Sequence, residues 1–374
     1  MHDPPIASPG ELPALPPLPA EPLIAAAPGA PPPVPHPFRF DGQAGEYFRI
    51  WIVNLALSIV TLGLYSAWAK VRTQRYFYGN TRLDDVPFEY LARPLPILVG
   101  RLIAVALFGA YVIAGQFSLA LQLGLALLVA LLTPWLLVRG AAFRARYSSW
   151  RGLRFRFVSD YAEAYIRYLL LYIPLLLTLG LLYPYVKAKQ KAFLVEHHRF
   201  GGHWFAFDAR PGHFYPPYLI AWAVMTAWIF AASLLLGAVA VALHASGTSA
   251  KEPAMGLIFG WMAVFYGGYF VIWVFLAAAL GNLVYNHTTI GPHRFQSRLQ
   301  GRRLLWLYAG NTAAVLASAG LLIPWAKVRL ARYRAECLNL LVAGSLAAFV
   351  AERGEDVGAT AAEVDSLFDI DIGL

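Results

Sequence analysis

Four histidines and a glutamate crowd one short stretch of this sequence: Glu196-His197-His198, with His203 and His213 close behind. Imidazole and carboxylate together are the ligand set of zinc and related metals. The spacing matches no H-E-x-x-H arrangement, and adjacent His197 and His198 point to different faces of a helix or strand. The stretch reads as interfacial histidines in a hairpin turn, with no metal expected. Nucleophilic chemistry fares no better. There is no G-x-S-x-G, Walker A or dinucleotide fingerprint, and Tyr78-Gly79-Asn80 is turn chemistry rather than a phosphate loop. The one cysteine, Cys337, excludes an intrachain disulfide framework and a Cys-cluster metal site. It falls in the helix carrying a basic cluster and reads as packing. No catalytic residue and no cofactor are expected, and an enzyme is the last of the functional readings.

Transport makes a different demand. A proton-driven carrier keeps an ionisable group at mid-membrane. Four long apolar arms contain no Asp or Glu; their polar content is Arg101 near one end, Gln116, Gln122, Thr133 and Thr226. Three shorter apolar segments offer more: Asn54, Thr61 and Gly63 in the first, Thr178 and Gly180 in the second, Asn311, Ser318 and Gly320 in the third. Broken intramembrane segments place polar groups at transport sites. The alternative for Asn54 and Asn311 is an interhelical hydrogen bond of about 0.6 kcal/mol.

The elements that must position these residues are legible in the composition. Of 374 residues, 59% are hydrophobic and only 14% charged, against about 25% charged in soluble domains. An all-α polytopic integral membrane protein follows. The long arms form two helical hairpins, roughly 95–114 with 117–138 and 218–243 with 256–280. Each arm is close to the ~20 residues that cross ~30 Å of hydrocarbon.

The three shorter segments are copies of one another. Thr61-Leu62-Gly63-Leu64-Tyr65-Ser66-Ala67-Trp68-Ala69-Lys70-Val71-Arg72 recurs as Thr178 to Lys189, 117 residues on, and as Ser318 to Arg329, another 140 on. Each keeps a hydroxyl-x-Gly, an aromatic, a Lys and a second base. The dipeptides Arg39-Phe40, Arg156-Phe157 and Arg294-Phe295 recur upstream. The chain therefore divides into a Pro/Ala-rich tail (1–37, 14 of the 26 prolines), repeat 1 (38–155), repeat 2 (156–293), a partial repeat 3 (294–350) and an acidic tail (351–374). Both tails are expected to be disordered. A smaller pattern places Phe five residues after an apolar residue across turn formers: Leu83/Phe88, Trp150/Phe155, Phe200/Phe205 and Ile290/Phe295. It reads as short hairpins packing two apolar side chains at the interface.

Charge sets the sidedness. If all seven apolar segments span, bases around Lys187 to Arg210 and Arg294 to Arg303 fall outside, against the positive-inside rule. If the three repeated segments enter and leave on one side, only Lys251 of the 30 bases lies at an outer tip. Four spanning helices plus three re-entrant or interfacial elements are therefore preferred, within limits of four to seven spans, with the basic loops and both tails cytoplasmic. The clusters Trp68/Lys70/Arg72, Tyr185/Lys187/Lys189 and Trp325/Lys327/Arg329 fit anionic phospholipid headgroups or plain topological anchoring. Bases flanking apolar segments do not form a nucleic-acid stripe, so no nucleic-acid partner is expected.

The run from Phe38-Arg39-Phe40-Asp41-Gly42 through Glu46, Asn54, the Thr61-to-Arg72 motif, Arg75-Tyr76, Asn80-Thr81 and Phe88 resembles the YjgN-like family of bacterial inner-membrane proteins, a domain of unknown function. The resemblance covers roughly 38 to 345 and is strongest in the first copy; the second departs, with Tyr185 for Trp and Lys189 for Arg. It implies a multi-pass inner-membrane location and supplies no catalytic residues. Permeation or transport of a small solute or lipid-like anion is the first functional reading. A non-transporting scaffold or lipid-binding assembly protein is the second.

Overall fold

Residue types alternate along every short extended segment. In β1 (Val34–Phe40), His36, Phe38 and Phe40 turn one way while Pro35, Pro37 and Arg39 turn the other, as a pleated backbone requires. The computed structural model describes residues 32–245, 251–346 and 349, without the side chains of 251–254 and 257. Nine further strands follow: β2 (Thr81–Leu83), β3 (Val86–Tyr90), β4 (Ser148–Trp150), β5 (Leu153–Phe157), β6 (His198–Phe200), β7 (His203–Phe207), β8 (Thr288–Ile290), β9 (His293–Ser297) and β10 (Leu338–Val342). Each pairs antiparallel with the next, and β10 pairs back with β1, so the ten close into a barrel with no free edge.

The fold is therefore not all-α, which corrects the expectation drawn from composition. Helix still dominates, but the four apolar-x4-Phe pairs are β-hairpins. Their two-residue turns need positive φ, met by Asp84 and Asp85 and by Arg151 and Gly152. The strands were hidden because each is only three to seven residues long. Helical-period reasoning over longer windows passes across such pieces. The proline-rich tail also ends earlier than expected. Val34 to Pro37 belong to β1 and pair in register with Val342 to Asn339 of β10. Residues 1–31 and 351–374, the rest of the two expected tails, lie outside the described residues.

Five helical hairpins rise from one rim of the barrel. Three are short: α1 (Ala44–Val60) with α2 (Ser66–Asn80); α5 (Tyr161–Tyr165), a π turn at Ile166–Leu170 and α6 (Tyr172–Leu177) with α7 (Tyr183–Glu196); and α10 (Gly301–Ala317) with α11 (Ile323–Glu336). Two are long: α3 (Pro94–Phe117) with α4 (Leu119–Arg146), and α8 (Tyr215–Ala245) with α9 (Lys251–Asn286). Among the described residues, four helical stretches are long and apolar enough to cross a membrane, Pro94–Phe117, Leu119–Arg146, Pro211–Ala245 and Ile258–Asn286. The first long hairpin turns at Ser118, whose Oγ accepts from the N–H of Ala120 at 3.2 Å, slightly beyond the expected Gly115-Gln116. In the second, Gly268 admits the Trp228 ring. A Cβ there would lie 2.3 Å from Nε1, which donates to the Val264 carbonyl at 2.9 Å. The π turn lies just before Pro174, whose missing N–H releases a carbonyl.

Neighbouring hairpins pack in sequence, α2 on α3, α4 on α5, α9 on α10 and α11 on α1. A ring of helices thus stands on a ring of strands.

Candidate functional site

The feet of all five helical hairpins are tied in the same way. One backbone bond joins the residue leaving the barrel to the residue about to re-enter it. The bonds are Asp41 N–H to Asn80 O (2.9 Å), Leu91 to Tyr147 (2.8 Å), Val158 to His197 (2.9 Å), Asp208 to His287 (3.1 Å) and Arg298 to Cys337 (2.9 Å). Both ends of each hairpin are therefore on one rim, and none of the three short segments runs from one side of the molecule to the other. The same junctions explain the histidine cluster. The second helix of a hairpin ends with carbonyls that need donors. Asn80 Nδ2 bonds the Tyr76 carbonyl, and Thr81 Oγ1 bonds that of Phe77, both at 2.8 Å. His197 and His198 repeat this on Phe193 and Leu194, and His287 and Thr288 on Leu283 and Val284.

The structure does not bring Glu196, His197, His198, His203 and His213 together. His213 faces His287, rings 5.0 Å apart, and His203 lines the barrel. His197 instead meets Glu163 through Nε2 at 3.2 Å. Asp160, Glu163 and His197 form a group with ligand atoms within 4.8 Å of one another. Glu163 also pairs with Arg167, and Asp160 caps α5 by accepting from the N–H of Glu163 at 2.9 Å. Sequence reasoning missed this group because the acids lie more than thirty residues before the histidine.

The hydroxyl-x-Gly is one turn built three times. Gly63 N–H reaches the Ser58 carbonyl (2.7 Å) and Leu62 N–H that of Ile59 (3.1 Å); Gly180 and Leu179 do the same to Leu175 and Leu176, and Gly320 and Ala319 to Val315 and Leu316. This is a Schellman closure. It holds Leu62, Leu179 and Ala319 at φ near 50° and the glycines near 90°. The hydroxyls serve this turn. Thr61 Oγ1 donates to Leu57 O and accepts from Tyr65 N–H, Ser318 Oγ accepts from Leu322 N–H, and Thr178 Oγ1 donates to Pro174 O. The tips are bare: Leu62 and Leu179 are each 95% exposed.

Asn54 and Asn311 are buried, at 5% and 7% exposure. Asn54 Nδ2 donates to Ala69 O at 3.4 Å, and its Oδ1 accepts from Arg72 at 3.3 Å. Asn311 does the same with Ala326 O at 3.2 Å and Arg329 at 3.3 Å. In the middle hairpin the role passes to Gln190 on the facing helix, bonded to Arg167 O and Lys187 Nζ. The second base of the first and third motifs, Arg72 and Arg329, therefore has a structural task. The aromatics support it. Arg329 lies over Trp325 at 5.0 Å and Lys189 over Tyr185 at 5.7 Å, while Trp68 stacks on Tyr65, whose hydroxyl accepts from Arg72.

In the first and third copies the first base is left for the surroundings, whereas in the second Lys187 Nζ donates to Gln190 Oε1 at 3.3 Å. Lys70 and Lys327 are exposed and Lys187 is half-buried. Partial desolvation against the neighbouring helices, then the Arg101 and Arg144 guanidinia, pull the Lys70 ammonium below its ordinary range. No carboxylate among the described residues pairs with Lys70, Arg101 or Arg144. Arg101 reaches Ser66 Oγ. This cationic group, built from three helices, was not legible in the motif alone.

Inside the barrel every strand contributes one apolar side chain to a single layer. The cross-strand pairs are Phe38/Leu83, Phe88/Trp150, Phe155/Phe200, Phe205/Ile290 and Phe295/Leu340. Their rings meet at 4.7 to 6.5 Å. They enclose an apolar chamber of about 290 Å³. Toward the β-turn rim, Leu346 and Phe349 close the floor, with Phe349 stacked on His203 at 4.2 Å and edge-on to His293 at 4.4 Å. Burial, followed by His203 and His36, pushes His293 down to about 4. Outside, Arg39, Arg82, Arg154, Arg156, Arg199 and Arg294 give the barrel wall a polar, basic face.

Four membrane-length helices standing on a polar-walled β-ring define a polytopic membrane protein that also carries a β-barrel. Residues 35–367 match a family described as bacterial protein of unknown function (DUF898), and the chain belongs to that family. It is 26% identical over 359 residues to the inner membrane protein YjgN of Salmonella typhimurium, covering 83% of this chain and 89% of that one. A protein of the same name from Escherichia coli O157:H7 is 29% identical over 149 residues, 39% of this chain and 36% of that one. No solved structure matches the chain significantly.

Proposed function

We propose that this chain is a non-enzymatic inner-membrane protein that binds anionic phospholipid and organises its surroundings, rather than a pore. The observation that carries the reading is that the polar residues a permeation path would need are engaged within the protein. Asn54 and Asn311 are buried with donor and acceptor both engaged, and Thr61, Thr178 and Ser318 bond their own turns. An aromatic layer lines the barrel below them and offers no polar path through it. Bare leucines at the tips of the short hairpins are costly in water and at home in hydrocarbon, which supports re-entry of all three tips. α1 is about 25 Å long at 1.5 Å per residue. Its tip then sits inside one leaflet with Trp68 and Lys70 at the headgroups.

The thrice-built glycine turn supports three diverged repeats, the third without a long hairpin, and the distribution of bases supports a cytoplasmic position for the barrel, the basic loops and both tails. Inner-membrane location is carried over from the named relatives. Lys70, Lys187 and Lys327, with Arg101 and Arg144, supply the headgroup contacts.

Reconstitution tests this. In phosphatidylcholine nanodiscs containing phosphatidylglycerol, native mass spectrometry retains phosphatidylglycerol preferentially. At about 1 kcal/mol per base, K70Q/K187Q/K327Q removes most of the preference. Vesicles carrying the protein release small anions no faster than empty ones. Equal retention of both lipids, or solute release above the empty-vesicle rate, would restore transport as the better reading.

A further inference from the structure

The barrel chamber is not isolated. A second cavity of about 360 Å³ adjoins it, and the two share Phe38, Tyr285 and Leu338 as common wall. The second cavity is lined on the helix side by Thr81, Ser297, Ala277 and Arg334. The Thr81 and Ser297 hydroxyls are already committed, Thr81 Oγ1 to Phe77 O and Ser297 Oγ to Asn282 Oδ1, both at 2.8 Å. Arg334 differs. Its Nη2 donates to the Tyr308 hydroxyl at 3.0 Å, and no carboxylate among the described residues pairs with it. Arg334 is exposed, and a guanidinium has five N–H donors, so those not held by Tyr308 are open to solvent or to an anion. The chamber beyond is lined almost wholly by aromatic and aliphatic side chains and has a floor. Its volume is at the small end of ligand sites, which run from about 300 to 1,000 Å³. Protein interiors leave few voids larger than a water molecule, so an aromatic-lined space of this size is suited to an apolar occupant.

We propose that the two cavities form one binding site for a single-chain anionic amphiphile. The carboxylate or phosphate sits on Arg334, and the chain lies among Phe38, Phe88, Phe155, Phe205 and Phe295. The charge selects an anion and the closed floor limits chain length. The narrow chamber takes one chain, which excludes a diacyl lipid. The site goes beyond the headgroup contacts proposed above and uses none of their residues, so the two stand or fall separately.

The test uses the full chain in phosphatidylcholine nanodiscs, titrated with dodecanoate, lysophosphatidylglycerol or uncharged dodecanol and followed by native mass spectrometry. Dodecanoate or the lysolipid binds with a single site, and the tighter of the two identifies the head. A charged hydrogen bond gives about tenfold or more in Kd. Arg334→Gln therefore weakens both anions by about that factor and leaves dodecanol unchanged. Phe205→Trp fills the chamber and weakens all three, while phosphatidylglycerol retention and thermal midpoint stay as in the parent. Dodecanol binding as tightly as dodecanoate, or dodecanoate affinity unmoved by Arg334→Gln, overturns the proposal. An unmoved affinity in Phe205→Trp places the chain elsewhere and overturns it equally.

Discussion

Acid should loosen the floor of the barrel through His293, and the sign follows from which nitrogen holds the proton. Nδ1 of His293 accepts the Ala343 N–H at 3.2 Å, so the neutral ring carries its hydrogen on Nε2. Protonation puts a second N–H against the first, in a buried site facing His203, His36 and the Phe349 ring. His36 itself is held by Asp84 at 3.3 Å. The native ring is pushed down to about 4, whereas an unfolded histidine titrates near 6.5. A depressed histidine stabilises the native state fully above the unfolded value, where neither state is charged. As pH falls from about 6.5 to about 4 the unfolded chain alone takes up a proton and stability declines; below that it levels. The window spans about 2.5 units at about 1.4 kcal/mol each, of which about 2 to 3 kcal/mol is expected once the site relaxes around the charge.

The assay is guanidinium unfolding in nanodiscs between pH 7 and pH 4, read by tryptophan fluorescence, since Trp150 lies in the barrel layer. His293→Asn is the control, because its Oδ1 still accepts the Ala343 N–H but does not titrate. The parent should lose about 2 to 3 kcal/mol relative to the variant on going to pH 4. A parent-minus-variant difference that does not change with pH would refute the reasoning.

Other perturbations have equally direct readings. Gly320→Ala forces a side chain into φ 93° and should cost about 1–2 kcal/mol in the thermal midpoint; no change means the turn relaxes. Phe155→Ala empties part of the aromatic layer and should cost about 3–5 kcal/mol, read as loss of barrel protection in hydrogen exchange. Asn311→Leu leaves the Ala326 carbonyl and Arg329 without their partner and should cost about 1–3 kcal/mol. The loss should be far smaller when Arg329→Met is already present, and additive losses would deny the pairing. Gly268→Ala displaces Trp228 from Val264 and should lower helix-pair stability by about 1–3 kcal/mol, with a shifted tryptophan emission.

Much of the candidate site was legible in particular residues. The hydroxyl-x-Gly spacing marked the turns at Gly63, Gly180 and Gly320, because a Schellman closure needs a tolerant residue at fixed distance from the last helical turn. The Leu83/Phe88 type of spacing marked hairpins, because a two-residue turn puts inward-facing side chains five apart. The roles assigned to Asn54, Arg72, Asn311 and Arg329 were not legible. Which of several polar groups meet depends on how two helices face each other, and the motif contains only one side of each contact. His293 could have been noticed, since it shares the inward alternation of Phe295, but its partners His36 and His203 are distant in sequence.

The sequence by itself determined local conformation and the broad solvent match. Apolar runs of membrane length, too little charge for a soluble surface, helix-ending glycines and positive-φ turns all follow from interactions among near neighbours or from transfer free energy summed over composition. Only the tertiary structure decided that the short strands close into a barrel. A three-residue strand has no stability alone, and its hydrogen bonds come from strands as far apart as β1 and β10. Closure then decided the rest: it set both feet of every helical hairpin on one rim and turned ten scattered apolar residues into one aromatic layer. It also left Arg334 facing the space beside them.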